Sequence, residues 1–329
     1  RERLNTMLDW LVEERFIRKV GIDENFTAHW LNDEINLEHE DAWDDSLPAW
    51  ATPAQETLGV EWSPNSPAQI KVTAQRSAHI NPSLGFTTAT SLGSTGEWVQ
   101  PSAEEPHDMQ YEATQMGERV TQLYLDPLSA SILRTGLRRA VRRLVRAARP
   151  VTDFGLLHLA VATPDFNSLW AKTSDMESNS PLWLKTNSVE DELLIEPGYA
   201  EAMLGNIKSA WMVEEWTEES TLRDLETRLD VSPGDVHHRV DLMGWLLSGA
   251  QHVLMADDVF SEEHMHIIAE LVKKISVLQQ RVRHGCKTDL LQLVNIRHVG
   301  RQRAREMASL GLRQPQDVAS MSLRNKNDL

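Results

Sequence analysis

Over the second two thirds of the chain, apolar residues recur at intervals of three and four, the spacing of one face of an α-helix. That pattern predicts helices over about 126–150, 153–162, 189–195, 198–217, 220–229, 234–256, 261–282 and 287–295. Asp126-Pro127 opens the first of them, with proline in the first turn, where its missing N–H costs nothing, and Pro150 closes it. Leu4, Leu8, Leu11 and Val12 predict one more helix over 2–20. From Gly21 to about His107 the periodicity is lost, prolines gather, and TTATSLGSTGEW reads as loop. The expected fold is mainly α: a helical bundle with a long insertion, about 22–106, that stays mobile because so long an unpatterned loop seldom packs. No internal repeat is visible, and no strand alternation of comparable strength competes with the helices.

Two of these helices have two contrasting faces. In 126–150, Leu133, Leu137, Ala140, Val141, Leu144 and Ala147 share one side; Arg134, Arg138, Arg139, Arg142, Arg143, Arg146 and Arg149 share the other, a core face backed by a basic one. In 234–256, Val236, Val240, Met243, Leu247, Ala250 and Leu254 form an apolar seam. Trp245 lies about 180° from that seam at about 100° per residue, and His238, Asp241, Gly249 and His252 share its side. Stacking on an unpaired base is one explanation for a large aromatic there. Coverage of a central helix on both sides is the other.

The segment KTDLLQLVNIRHVGRQRAREMASLGL has the pattern of a helix-hairpin-helix, with a tight Val299-Gly300 turn and a second helix from Arg301. Such a turn offers backbone N–H groups at a helix start to a phosphate, and glycine permits close approach. Arg297, Arg301, Arg303 and Arg305 surround it and would add contacts indifferent to base sequence. An ordinary αα-hairpin with a basic surface has the same pattern.

Charge sharpens this picture. The formal net charge is −16, yet residues 111–150 carry +5 and 276–329 carry +6, against −12 for 1–110 and −15 for 151–275. Two basic islands in an acidic body fit a directional nucleic-acid track, and fit equally well arginines paired with the acidic segments. The insertion holds Trp30, Trp43, Trp50, Trp62 and Trp98 among many acids, a composition shared by partner-binding segments and by solvated loops. One cysteine, Cys286, excludes an internal disulfide and a thiol-based zinc site, and points to a reducing, cytoplasmic compartment. His264 and His266 are too close in sequence to chelate from one helix face, so no metal site is expected. No apolar run approaches the ~20 residues of a membrane helix. GxxxxGK[ST], GxGxxG and HExxH are all missing.

Five stretches, taken together and in order, resemble one family: ATQMGERVTQLYLDPLSA, FGLLHLAVATPDF, KSAWMVEEW, VSPGDVHHRVDLMGWLL and RVRHGCKTDLLQLVNIRHVGRQRAREMASLGL. They look like the archaeal superfamily-two DNA repair helicases of the Ski-two-like group, relatives of the helicase part of DNA polymerase theta. The resemblance covers roughly 111–315 and implies three parts. These are a partial winged-helix domain with the insertion over 1–125, a helical ratchet domain over 126–284, and a helix-hairpin-helix domain over 285–329 that RNKNDL cuts short. It also implies that the motor domains, with their ATP and Mg, precede Arg1, leaving no catalytic residue and no cofactor in this chain. In that family a ratchet Trp and an Arg seven residues earlier stack on the translocating strand. Trp245 matches the first, and His238, with Arg239 beside it, stands at the second. The implied role is the DNA-guiding part of an ATP-dependent helicase moving 3′ to 5′ on single-stranded DNA, acting on forked DNA in repair and fork restart. Its DNA contacts would be Trp245, His238, Arg239, Arg138, Arg142, Arg297, Val299, Gly300, Arg301 and Arg303. A reading from another class is a stand-alone helical adaptor that binds protein partners through the Trp-rich acidic segment.

Overall fold

The computed structural model describes residues 2–20, 110–146, 149–196, 200–260 and 262–320. The Trp-rich acidic segment, with the mobility and partner binding expected of it, lies outside the described residues, as does the end of the chain. The described part is mainly α, as the periodicity predicts.

The predicted helix over 2–20 ends early. Helix α1 (Glu2–Glu13) stops, Arg15 turns the chain with φ 55°, and Ile17–Val20 forms strand β1. Its antiparallel partner is β2 (Gln110–Ala113), with Val20 opposite Gln110 and Arg18 opposite Glu112. Arg18 and Glu112 form an ion pair at 2.7 Å, a cross-strand match of charges that suits this register. A helical reading of 14–20 fails because the strand is held by a partner some ninety residues away, which local periodicity does not register. Trp10 and Phe16, both buried, seat α1 and β1 together with ring centroids 5.9 Å apart.

Helix α2 (Gln115–Leu123) begins where the Thr114 hydroxyl accepts from Gly117 N–H at 3.1 Å. Helix α3 (Pro127–Val145) is capped by Asp126, which accepts from Leu128 N–H at 2.8 Å. Helix α4 (Asp153–Val161) follows, buried all round. The predicted helix over 189–195 is instead α5 (Pro181–Val189), started by a Ser180-Pro181 cap and followed by a 3₁₀ turn over Glu190–Glu192. Then come α6 (Ala200–Thr217), α7 (Leu222–Leu229), α8 (Pro233–Ala256) and α9 (Met265–His284). The Thr221/Asp224 and Ser232/Asp235 capping boxes start α7 and α8.

Helix α8 is central, packed against α9, α2, α3, α4, α6 and α7. Every residue of its predicted seam, Val236, Val240, Met243, Leu247, Ala250 and Leu254, is buried. Leu246 and Val253 add a second buried line, so the helix is covered over more of its circumference than one seam. Each of the Val, Leu and Met side chains among them stabilises the fold by about 1.5 to 3 kcal/mol relative to exposure. After α9 a separate small core gathers Cys286, Leu290, Leu291, Leu293, Val294 and Ala304. It holds the short α10 (Leu291–Val294) and α11 (Arg301–Ser309), so the helix predicted over 287–295 is only a 3₁₀ turn and one helical turn. Among the described residues no helix is long and apolar enough to cross a membrane.

Candidate nucleic-acid interface

Rotation about α8 decides what each of its candidate residues can reach. Arg239 turns inward: the residue is 7% exposed, its Nε donates to Asn167 O at 2.9 Å and its Nη1 to Asp235 Oδ1 at 2.8 Å. It is committed to joining the 163–172 loop to the first turns of α8, and the expectation that it faces a strand is corrected. His238, one residue earlier and about 100° round the helix, is exposed, as is Asp241. Trp245 is half-buried and its indole N–H donates to Leu123 O at 3.1 Å. It belongs neither to the core nor to open solvent. The ring is oriented by the end of α2, with one part packed and one part outward. Gly249, expected on the same outward side, is buried: a Cβ there would come within 2.9 Å of Leu125. His252 is half-buried, its Nδ1 2.8 Å from Ser248 O. Only the amino-terminal half of this outer face is open.

The basic face of α3 is also committed to partners inside the molecule. Arg138 grips Asp257 with two hydrogen bonds of 2.7 Å, a two-pronged pair in which the carboxylate is almost wholly covered. Arg134 pairs with Glu14, and burial beside Arg138 holds its guanidinium down to about 10. Arg143 donates to the carbonyls of Asp191, Glu192 and Leu193, which end the 3₁₀ turn after α5. Arg139 donates to Leu194 O, and Arg149 pairs with Asp191. Arg142 is buried. Arg138 and Arg142 therefore do not line an open phosphate track. Elements packed on the far side of α3 take up its charge, and those elements are distant in sequence.

The carboxy-terminal hairpin divides its arginines in two. Arg301 lies over Trp216, guanidinium carbon 4.0 Å from the ring centroid, and donates to the carbonyls of Trp216, Gly285 and Ser220. Burial lowers its pKa, partly offset by Glu219. Arg305 bridges Glu219 and Asp289, whose carboxylates raise its pKa. These two clasp the small core onto the end of α6 and the turn that follows it, and Arg301, expected at a DNA contact, is half-buried and held by these internal partners. Gly285 completes the joint: it ends α9 with φ 61°, and any Cβ would sit 2.5 Å from the Trp216 ring.

Arg283, Arg297 and Arg303 remain outward. Arg283 and Arg297 make no ion pair among the described residues, and Arg303 donates to His298 O at 3.0 Å. Together with His284, Asn295, His298 and Gly300, the first two line an open groove. Gly300 is the N-cap of α11 with no side-chain cap, so the first N–H groups of that helix have no intrahelical acceptor. The turn itself differs from the expectation. His298 carries the positive φ of 66°, Val299 donates its N–H to Ile296 O at 3.0 Å, and the Val299 side chain packs against the small core. Val299 supports the loop from beneath, and Gly300 is the residue at the surface. Arg283 escapes a motif reading because it sits on α9; its signal is the basic last turn Arg281-Val282-Arg283-His284 before the Gly285 cap. Arg281 of the same turn faces inward to Asp153 and Glu218.

Residues 154–285 match the family described as archaeal helicase, domain 4. The chain is 30% identical over 208 residues to the ATP-dependent DNA helicase Hel308 of Methanocella arvoryzae, covering 60% of this chain and 25% of that protein. It is 28% identical over 211 residues to the protein of the same name from Thermococcus kodakarensis, covering 63% of this chain and 17% of that protein. A third, from Caldivirga maquilingensis, is 28% identical over 221 residues, 64% of this chain and 27% of that protein. The chain thus spans about a quarter or less of the length of these relatives. The matched segment holds α4 to α9, the helices that carry Trp245 and Arg283. Residues 154–285 thus carry the pattern of an archaeal helicase domain 4, and the chain is similar to the carboxy-terminal region of archaeal Ski-two-like DNA helicases.

Proposed function

We propose that this chain is the DNA-guiding part of an ATP-dependent helicase that moves 3′ to 5′ along single-stranded DNA in repair and fork restart. The motor that binds ATP and Mg lies outside it, so the 329-residue chain binds single strands but neither hydrolyses ATP nor unwinds a duplex. The observation that carries this reading is the open groove in which Arg283 and Arg297 flank the uncapped start of α11, with Arg303 exposed in the first turn of that helix. The chain commits many of its other arginines to internal partners, yet leaves Arg283 and Arg297 with no ion pair among the described residues, beside N–H groups that have no intrahelical acceptor. Phosphate supplies both the charge and the acceptor oxygens that such a place lacks. On α8, His238 and Trp245 stand seven residues apart on one side, about 10 Å along the axis. The outward part of the half-buried indole meets a base there, and His238, not Arg239, stands at the second contact.

Binding of a fluorescein-labelled oligothymidylate, followed by anisotropy across a salt series, tests the reading. Replacing Arg297 and Arg303 by Ala should lower affinity and reduce the slope of log K against log salt by about 0.7 for each phosphate no longer neutralised. An unchanged slope would remove the hairpin from the interface.

A further inference from the structure

The corner between α2 and α3 carries a residue that the expected contacts do not include. Tyr124 is 89% exposed and has φ 56° and ψ 28°, in the left-handed region. Exposed aromatics are ordinary on protein surfaces taken singly. A bulky side chain in left-handed backbone is not, because Cβ crowds the following carbonyl and glycine or asparagine would do the same job with less strain. The corner is otherwise built for rigidity. Tyr124 N–H donates to Thr121 O at 3.1 Å and Leu125 N–H to Val120 O at 3.2 Å, closing the helix end. Leu125 is buried against Gly249 of α8, and Asp126 N–H donates to Asp165. The strained residue is thus held between two fixed neighbours, with its own ring in solvent.

Its position connects it to the candidate interface. Trp245 donates its indole N–H to Leu123 O, the carbonyl of the peptide unit that leads into Tyr124. Covalent geometry then places the Tyr124 Cα no more than about 6 Å from the Trp245 indole nitrogen. One hydrogen bond therefore orients Trp245 and ties it to the backbone that displays Tyr124. We infer that Tyr124 and Trp245 together form a two-ring seat for neighbouring bases of a single strand, Tyr124 being a base-contacting residue in its own right. The pairing accounts for an aromatic ring at a backbone position that disfavours one, and for the half-exposure of Trp245. Stacking of this kind accepts any base, since every base has a π face, which suits a protein that travels along a strand. The inference rests on the proposed single-strand binding.

Strain lets one substitution separate function from folding. Tyr124→Gly removes the ring and relieves the left-handed backbone, so its melting temperature should match or exceed that of the unaltered chain. Its affinity for the labelled oligothymidylate should fall roughly five- to 150-fold, the scale of removing one aromatic platform. The fall should be equal at low and high salt, because no cationic group is removed. Tyr124→Phe should bind like the unaltered chain. If Tyr124→Gly binds normally while Trp245→Ala binds weakly, Tyr124 is not a contact and the inference is overturned with single-strand binding intact. If the unaltered 329-residue chain does not bind the oligothymidylate at all, the proposed function fails, and this inference with it.

Discussion

Helix α4 buries a histidine with nothing to bond to. His158 is 1% exposed, and neither ring nitrogen has a hydrogen-bond partner among the described residues. Burial alone pushes its pKa down from 6.5 to about 4. The folded protein therefore resists the proton that the unfolded chain accepts, and the sign of the effect follows. The stability contributed by keeping His158 neutral is full above about pH 6.5 and is lost as pH falls through about 4. At 1.36 kcal/mol per pKa unit, the whole transition is worth about 3 kcal/mol, a large part of the 5 to 15 kcal/mol of an ordinary domain. Urea unfolding at a series of pH values, for the unaltered chain and for His158→Leu, isolates this contribution. Carboxylates with lowered pKa, such as Glu215, Glu219 and Asp289, titrate in both proteins and cancel in the difference. The Leu variant should be at least as stable at pH 7, since it removes buried polar atoms left unpaired. Its advantage should grow by roughly 1.4 kcal/mol per pH unit between about pH 6 and 4. Stability curves that run parallel through that window would refute the argument.

Two further substitutions test the joint and the interface. Gly285→Ala places a Cβ on the Trp216 ring at a backbone angle that disfavours one, and should cost about 2 to 4 kcal/mol, read as a drop in melting temperature. A variant that melts normally would show that the joint between the end of α9 and Trp216 of α6 is loose. Trp245→Ala should weaken oligothymidylate binding by about 1 to 3 kcal/mol with little salt dependence. Its melting loss should stay below the roughly 3 to 5 kcal/mol of a fully buried aromatic. Unchanged affinity with a large melting loss would make Trp245 a packing residue only.

What could be read from the sequence was whatever is decided within one or two helical turns. The seam of α8 and the Ser232-Pro233 start are local: period and cap lie in the same stretch of chain. The destinations of the arginines are not local. Arg138 finds Asp257 and Arg143 finds Leu193 O, partners 119 and 50 residues away, so a helical wheel shows a basic face where the fold shows arginines held by partners within the molecule. Which of His238 and Arg239 is exposed depends on about 100° of rotation about α8, and the carbonyl of Asn167, in a separate loop, holds Arg239 inward. At the hairpin, the residue types around the turn were legible. Which arginines faced out was not, because Trp216 and Glu219, on α6 and just after it, claim Arg301 and Arg305.

The pairing of β1 with β2 has a bearing on how such a chain can change over evolutionary time. Val20 sits directly opposite Gln110, so the chain leaves the ribbon and re-enters it at adjoining points. Whatever lies between them presents the rest of the fold with the same two ends, whether two residues or dozens. The entropy of closing such a connection grows only with the logarithm of its length, by about 0.6 kcal/mol for each doubling. A lineage could therefore acquire, lengthen or discard residues between these strands without altering the register of the ladder or the packing of α8. Novelty is cheap at this address, and a two-stranded ribbon of four residues a side is all that guards it.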